Sequence, residues 1–517
     1  MGRGVRTRAG TIGLALVAAM ALSGGAPPLA PVVEAATGCT AGTESDFNGD
    51  GVRDIAIADP EATVSGHPEA GTVHIAYGGG RGAEEVSQDT EGIPGTAEPG
   101  DRYGHALATF DHNGDGCADL VVGSPYEDIG DQADAGSVQI LYGSPAGLGK
   151  GPAALDLHQG KGSGSIASSA AEAGDWFGYS LAAGHTGPGR PYLVIGVPGE
   201  DLSGGLRDAG SVHYLRDSIN VAFNQNDNGA SGLPENDDRF GYSIAASPYH
   251  IAVGVPGEAI GDRTFSGGMQ LLRHAINSDG NPTPVGGTHQ DTPGINGTAE
   301  TGDQYGAALA AVQYRPPGSS STTDTLVVVG IPGEDTSTGE DAGRVITLRL
   351  TLSGDVTQVA DIHQGITGVT GVGEDGDYFG QHLTAVNTAP GSTSTAQNLL
   401  LAVGIPGEDI EAAGGKDSGG VQIFPLVGPP GDGDVWLEQG LHGLPGQPGV
   451  REYLGTSLSA TPQTLHVGKP YGLEADRGVH GIPWANLISG GTGAVSAWRP
   501  GEGGIPTGGR AFGAVVR

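Results

Sequence analysis

Basic residues are scarce in this chain: 24 Lys and Arg stand against 59 Asp and Glu, a formal charge of −35. Residues 1–36 hold three Arg and one Glu, so the remainder carries 21 positive and 58 negative charges, net −37. A surface of that sign repels phosphate backbones and anionic lipid, which excludes nucleic acid and the membrane surface as partners. Long hydrophobic runs are missing too. The apolar stretch 11–22 is twelve residues, short of the ~20 that cross a bilayer, so no membrane insertion is expected. It follows Arg3, Arg6 and Arg8 and precedes small residues up to Ala35 and Ala36. That order reads as a secretory signal peptide over 1–36, with an extracellular, secreted chain from 37 onward. Two cysteines, Cys39 and Cys117, leave room for at most one disulfide. In a secreted chain such a pair often bonds, and here pairing and two free thiols both stay open. Aromatics are only 5% and long helical periodicities are absent. There is also no Gly-x-Ser-x-Gly elbow, no zinc-protease His pair and no phosphate-cradling loop, so no catalytic residue and no organic cofactor is assigned.

What is abundant is glycine, 97 residues of 517. No Gly-X-Y period exists, which excludes collagen and favours many short strands joined by tight turns. An aromatic-Gly step recurs as DRYGHAL (101–107), DWFGYSL (175–181), DRFGYSI (238–244), DQYGAAL (303–309) and DYFGQHL (377–383), with a weaker REYLGTSL at 451–458. An apolar run ending in a Gly-x-Pro turn follows each: LVVGSPYED (120–128), LVIGVPGED (193–201), IAVGVPGEA (251–259), LVVVGIPGED (326–335), LAVGIPGED (401–409) and LHVGKPYGLE (465–474). Then come AGSVQILYG (135–143) and its cognates, and a strand centred on Gln88, Gln159, Gln225, Gln290, Gln364 and Gln439. From that Gln to the Gly of the next aromatic-Gly step is 16 residues in five copies and 19 in the sixth, Gln159–Gly178. Four short runs per unit are one four-stranded antiparallel sheet, repeated.

The first unit opens with DFNGDGVRDIAIADPEA (46–62) and has no aromatic-Gly step before it, whereas RAFGAVVR (510–517) stands alone at the other end. Seven steps and seven turns, offset by one strand, predict a circular array in which the C-terminal strand completes the first sheet. The fold predicted is all-β: a seven-bladed β-propeller over 37–517, with four-stranded antiparallel blades. Closure removes exposed sheet edges. The Gly after each aromatic is predicted to let neighbouring sheets approach, with the ring packed between blades.

Two segments carry metal chemistry. DFNGDGVRD (46–54) and DHNGDGCAD (111–119) share Asp-x-Asn-x-Asp-Gly-x-x-Asp. Oxygens at positions 1, 3, 5 and 9, a carbonyl at 7 and a Gly at 6 for the sharp turn suit Ca²⁺, which takes six to eight hard oxygen ligands. The ligands predicted are Asp46, Asn48, Asp50, the Val52 carbonyl and Asp54, then Asp111, Asn113, Asp115, the Cys117 carbonyl and Asp119. Both loops lie between strands, so a helical EF-hand is the wrong context, and the ions are expected as structural staples. The corresponding connections of the other units, such as 245–250 and 316–324, lack the ligands.

Aromatic-Gly steps, Gly-x-Pro turns and these Asp-rich loops together resemble the FG-GAP repeats of integrin α-subunit head domains and of related bacterial secreted proteins. The resemblance implies calcium loops joining the first and second strands of a blade on one face, with ligands on the opposite face. It departs in placing the calcium loops in units one and two, and no Arg-Gly-Asp occurs. The function expected is a monomeric extracellular binding or cell-adhesion-like module for a protein or glycan ligand, not an enzyme. The alternative is a propeller hydrolase, or an accessory domain, acting on extracellular polysaccharide or lipid. Paired acids in the Pro-Gly-Glu-Asp turns (Glu127-Asp128, Glu200-Asp201, Glu334-Asp335, Glu408-Asp409) could suggest glycoside hydrolysis. Their recurrence in unit after unit argues instead for loop ligands of backbone amides or solvent-facing charge. The most divergent unit is the last, with Trp436, Trp484 and Trp498 expected to mark a local specialisation.

Overall fold

The apolar runs before the Gly-x-Pro turns form the second strand of each blade, and they are buried from end to end. Asp119–Ser124 and Leu399–Ile405 have no exposed position, because a neighbouring blade covers each face of the sheet. Outer strands such as Val356–Ile362 alternate with solvent. These elements belong to a computed structural model that describes residue 1 and residues 38–517, apart from 41, 411–413, 474 and 475. The expected signal peptide therefore lies outside the described residues.

Those residues build seven four-stranded antiparallel sheets. Blade 1 consists, from the axis outward, of Val515–Val516, Ile55–Asp59, Thr72–Ala76 and Ala83–Val86. Blade 2 consists of Ala106–Phe110, Asp119–Ser124, Ser137–Leu141 and Leu155–Leu157. Blades 3 to 7 repeat the plan over 181–223, 244–288, 308–362, 382–437 and 457–498. Closure is as predicted: Val516 pairs with Ile57 and Val515 with Ala58. The buried Asp59 carboxylate also accepts the Arg510 and Ala511 amides at 2.8 and 2.9 Å.

The core lies between blades. One cluster joins Ala56, Val73 and Ile75 of blade 1 to Tyr103, Leu107 and Leu120 of blade 2, and another joins Ile57 and Val516 to Val479 of blade 7. The repeated aromatics, Tyr103, Phe177, Phe240, Tyr305, Phe379 and Phe512, are all fully buried there. The glycine argument extends further than predicted. A Cβ on Gly330, in the Gly-x-Pro turn of blade 5, would strike the carbonyl of Gly380, in the aromatic-Gly step of blade 6. Gly123, Gly196, Gly254, Gly404 and Gly468 meet Gly178, Gly241, Gly306, Gly455 and Gly513 in the same way. Two repeated glycines thus touch across every one of these interfaces.

The last unit corrects one reading. Trp436 sits in the outer strand of blade 6, Val435–Leu437, not in the seventh unit. Trp484 opens a short helix, Trp484–Ile488, inserted in blade 7, and its buried ring donates to the Thr461 carbonyl at 2.8 Å. The divergence serves packing.

Candidate functional site

Strand direction sorts the connections onto two faces. Each innermost strand starts at its aromatic-Gly step and runs to the connection with the second strand. The loop 111–119 is that connection in blade 2, and 46–54 is its counterpart in blade 1, entered from blade closure. Both lie on one face, with the aromatic-Gly steps and Pro-Gly-Glu turns on the other.

The two loops are built alike. Asp46 accepts the Asp50 and Gly51 amides at 3.1 and 2.7 Å, and Asp111 accepts Gly114 and Gly116 at 2.8 and 3.0 Å. Asn48 and Asn113 each accept the amide two residues on, that of Asp50 or Asp115, at 3.0 Å. Asp50 and Asp115 do the same to Val52 and Cys117 at 2.8 and 2.9 Å. The ninth residue has a role that spacing did not reveal. Asp54 spans from Phe47 to Gly78, and Asp119 from His112 to Gly143, so each ties its loop to the end of the third strand. These side-chain-to-amide turns hold the loops in shape through their own sequence.

The loops also touch each other. Cys39 and Cys117 form a disulfide across 78 residues of sequence, with Cα atoms 5.0 Å apart. The Ala118 amide donates to the Asp46 carbonyl at 2.9 Å, and Gly49 packs directly on the bridge. Constraining so long a loop in the unfolded chain stabilises by about 4 kcal/mol in the chain-entropy account. The bond fits an oxidising compartment.

The oxygen-only donor set suits a hard divalent cation. Burial, with the nearby charges of Asp46 and Asp50 adding to it, raises the Asp54 carboxyl to about 6. Burial together with Asp111 and Asp115 raises Asp119 to about 7. A cation would relieve both. Asp50 Oδ2 is buried and without a hydrogen bond, facing the Arg81 guanidinium at 3.0 Å. The loop carboxylates do not close on one point. Among the described residues, the group of three His, Cys or acidic donors within 4.8 Å of one another is Cys39, Asp115 and Cys117, with both sulfurs in the disulfide. Of the carbonyl pair, Val52 is exposed and Cys117 buried.

The opposite face carries a feature that no sequence motif announces. The residue two before the repeated Gly is left-handed without being glycine in six copies: Arg102, Trp176, Arg239, Gln304 and Tyr378 before an aromatic, and Tyr453 before Leu454, with φ from 50° to 58°. Each such backbone costs about 1 kcal/mol or more. In blades 2 to 4 the side chains so presented join an aromatic patch. Trp176 stacks on Tyr179 at 5.9 Å, Tyr179 lies 4.9 Å from Tyr242 and 4.8 Å from His105, and Tyr126 meets Trp176 edge-on. Arg102 and Arg239 sit over Tyr126 and Trp176 at 5.4 and 5.8 Å. The patch borders an axial cavity of about 540 Å³ lined by Arg102, His105, Tyr179, Tyr242, Gln304 and His382. Every ring in it is half-buried.

In the acidic turns, Asp128, Asp201, Asp335 and Asp409 accept backbone amides of their own loops. Glu127, Glu200, Glu334 and Glu408 instead accept the repeated Gln side chains. His158, His289 and His363 are half-buried beside those Gln, on separate blades. Among the described residues no helix is long and apolar enough to cross a membrane.

Residues 103–141 match the FG-GAP repeat. They run from the aromatic-Gly step of blade 2 through its Asp-rich loop to the end of its third strand. The chain is a seven-bladed β-propeller that carries an FG-GAP repeat in blade 2. It is similar to the phosphatidylinositol-glycan-specific phospholipase D of Mus musculus, at 38% identity over 107 residues, 20% of this chain and 13% of that protein. It is similar to integrin alpha-PS2 of Drosophila melanogaster at 40% over 108 residues, 20% of this chain and 7% of that one. The chain thus spans only a small part of the length of these relatives. A solved structure, the periplasmic gluconolactonase of Pseudomonas aeruginosa, superposes over 90% of this chain and 98% of its own at 12% identity, with a TM-score of 0.41, too low to bear on function.

Proposed function

We propose that this is a secreted, non-catalytic binding module in which two calcium ions brace one face of the propeller and the opposite face receives an extracellular protein or glycan. The observation that carries the reading is the division of labour between faces. One face holds paired Asp-rich loops locked by a disulfide. The other presents a half-buried aromatic patch on left-handed backbone around an axial cavity. Rings of that kind stack on ligands while the blades behind them stay rigid. Asp46, Asn48, Asp50, Asp54 and their counterparts Asp111, Asn113, Asp115 and Asp119 would hold the ions, with carbonyls of Val52 and Cys117. At extracellular concentrations each ion would add on the order of 1 kcal/mol.

The family supports this reading through integrin alpha-PS2, and the lipase relatives favour a second one. In that reading the chain is the accessory part of a machinery acting on phosphatidylinositol-glycan. Screening the secreted chain on extracellular-protein and glycan arrays, with calcium and with chelator, tests the proposal. Binding that Trp176→Ala and Tyr179→Ala abolish is the expected result. Binding untouched by those variants removes the aromatic face from the account, and release of a phosphatidylinositol-glycan-anchored protein by the chain alone contradicts the non-catalytic assignment.

A further inference from the structure

The blade junctions hold buried acids that the proposed function does not use. The Gln closing each unit reaches across to a Glu of the next blade: Gln88 to Glu127, Gln159 to Glu200, Gln225 to Glu258, Gln290 to Glu334 and Gln364 to Glu408, the last at 3.0 Å. Beside each Glu stands the Asp of the aromatic-Gly step: Asp101, Asp175, Asp238, Asp303 and Asp377. All five Asp are essentially without solvent exposure. Each accepts the amide three residues earlier, as Asp238 does from Glu235 at 2.6 Å.

The repeat supplies its own controls. At the Glu334 junction a half-buried base is present, with Arg344 3.3 Å from the carboxylate. At the next divergent junction Gln439 reaches Glu452, and Lys469 pairs with that carboxylate at 2.8 Å, both groups buried. The positions matching Arg344 in the other four junctions are Ser137, Ser211, Gly268 and Gly420. Among the described residues no base bonds either acid there. The groups at these junctions are also short of donors. The Oε1 atoms of all six Gln are buried without a partner, Gln290 and Gln439 at the paired junctions included, whereas among the described residues the orphaned junction carboxylate oxygens, Oδ1 of Asp238 and Asp377, fall at junctions without a base. Two carboxylates buried together need a positive charge and a donor hydrogen. One proton is both.

We propose that a proton takes the place of Arg344 and Lys469 at these four junctions. Each Asp–Glu pair shares one at neutral pH, and the blades are joined there by a carboxylic acid that loosens the junction when it ionises. Burial, first among the causes, raises Glu127 and Glu408 to about 8 and Glu200 and Glu258 to about 7. It raises Asp175 and Asp238 to about 8 and Asp101 and Asp377 to about 7. Asp303 rises to about 7 as well, so at its junction Arg344 relieves Glu334 and not the Asp. The other charged neighbours push the same way. They are Glu98, Asp128, Asp134 and Asp156 (itself paired with Lys161) at the first junction, and Glu172 and Asp201 at the second. Glu235 and Asp237 face the third, and Glu374, Asp375 and Asp409 the fourth. A folded pKa above the unfolded one gives stability that is complete below about pH 4 and lost as pH rises through 7 to 8.

The test compares the full secreted chain with the combined Glu127→Gln, Glu200→Gln, Glu258→Gln and Glu408→Gln variant, in saturating calcium. Glutamine imitates the neutral acid, so the decline in Tm that these acids produce between about pH 4 and 8 should flatten. The parent should show an infrared carboxylic-acid band at neutral pH that weakens in the variant, Asp303 keeping a remainder. Should the combined variant fail to fold, Ser137→Arg, which copies Arg344 at the first junction, should flatten part of the decline, and Arg344→Ser should steepen it. Parallel Tm profiles, or a parent without the acid band, overturn the proposal. So does a decline that added sodium cancels, since a metal ion would then be the missing charge.

Discussion

Single residues govern how closely the blades approach. Gly330 and Gly380 meet where a Cβ cannot fit, and the same pair recurs around the ring. Gly330→Ala should therefore cost about 1–3 kcal/mol, the usual penalty for overpacking a filled interior, while Gly38→Ala, in open space and without left-handed backbone, should cost less. Denaturant unfolding of the two variants checks this. At this scale the sequence was legible in part. The Gly after each aromatic could be assigned to close approach because it recurs beside a large ring. Its partner in the Gly-x-Pro turn could not, since a glycine before a proline turn already has a local explanation. Likewise Gln88 and Glu127 were both visible as repeated residues, but their contact crosses between units and leaves no spacing to read within one. The left-handed backbone of Arg102 and Trp176 carries no glycine to announce it.

Elements show what a repeat makes legible and what it hides. The terminal strand was predicted from RAFG alone, since an orphan copy at one end and a missing copy at the other imply closure. Val515 and Val516 do complete blade 1, and the Asp59 carboxylate caps the same segment. Deleting 510–517 should lower the Tm of the whole chain in one transition, because it uncovers Ile57 and Phe512's neighbours on both flanking blades. A truncated chain melting like its parent would show that closure carries no stability. The inserted helix 484–488 was not foreseen, since five residues within a divergent unit fall below any periodicity. The Asp-rich loops were foreseen as loops, while Asp54 and Asp119 bridge to residues 24 positions further on, outside the nine-residue motif that could be read.

The molecule as a whole balances two opposite titrations. Burial lowers His74, His105, His213, His250, His274 and His382 to about 4. A folded pKa below the unfolded value of about 6.5 gives stability that is lost as pH falls through 6.5 toward 4. The junction acids work the other way. Once they are neutralised as glutamines, Tm should rise from about pH 4 to 6.5 and then level off, a profile that differential scanning calorimetry can follow. Against this background the two Asp-rich loops, proposed to hold calcium, are tied together by the Cys39–Cys117 disulfide on one face of the propeller. Their assignment rests on two nine-residue loops with matched hydrogen bonds, an oxygen-only donor set and carboxyls raised by burial and like charge. The most direct test is the calcium content of the purified chain after equilibrium dialysis. Two ions per chain are predicted, falling to one in Asp50→Ala and one in Asp115→Ala. A count unchanged by either substitution would contradict it.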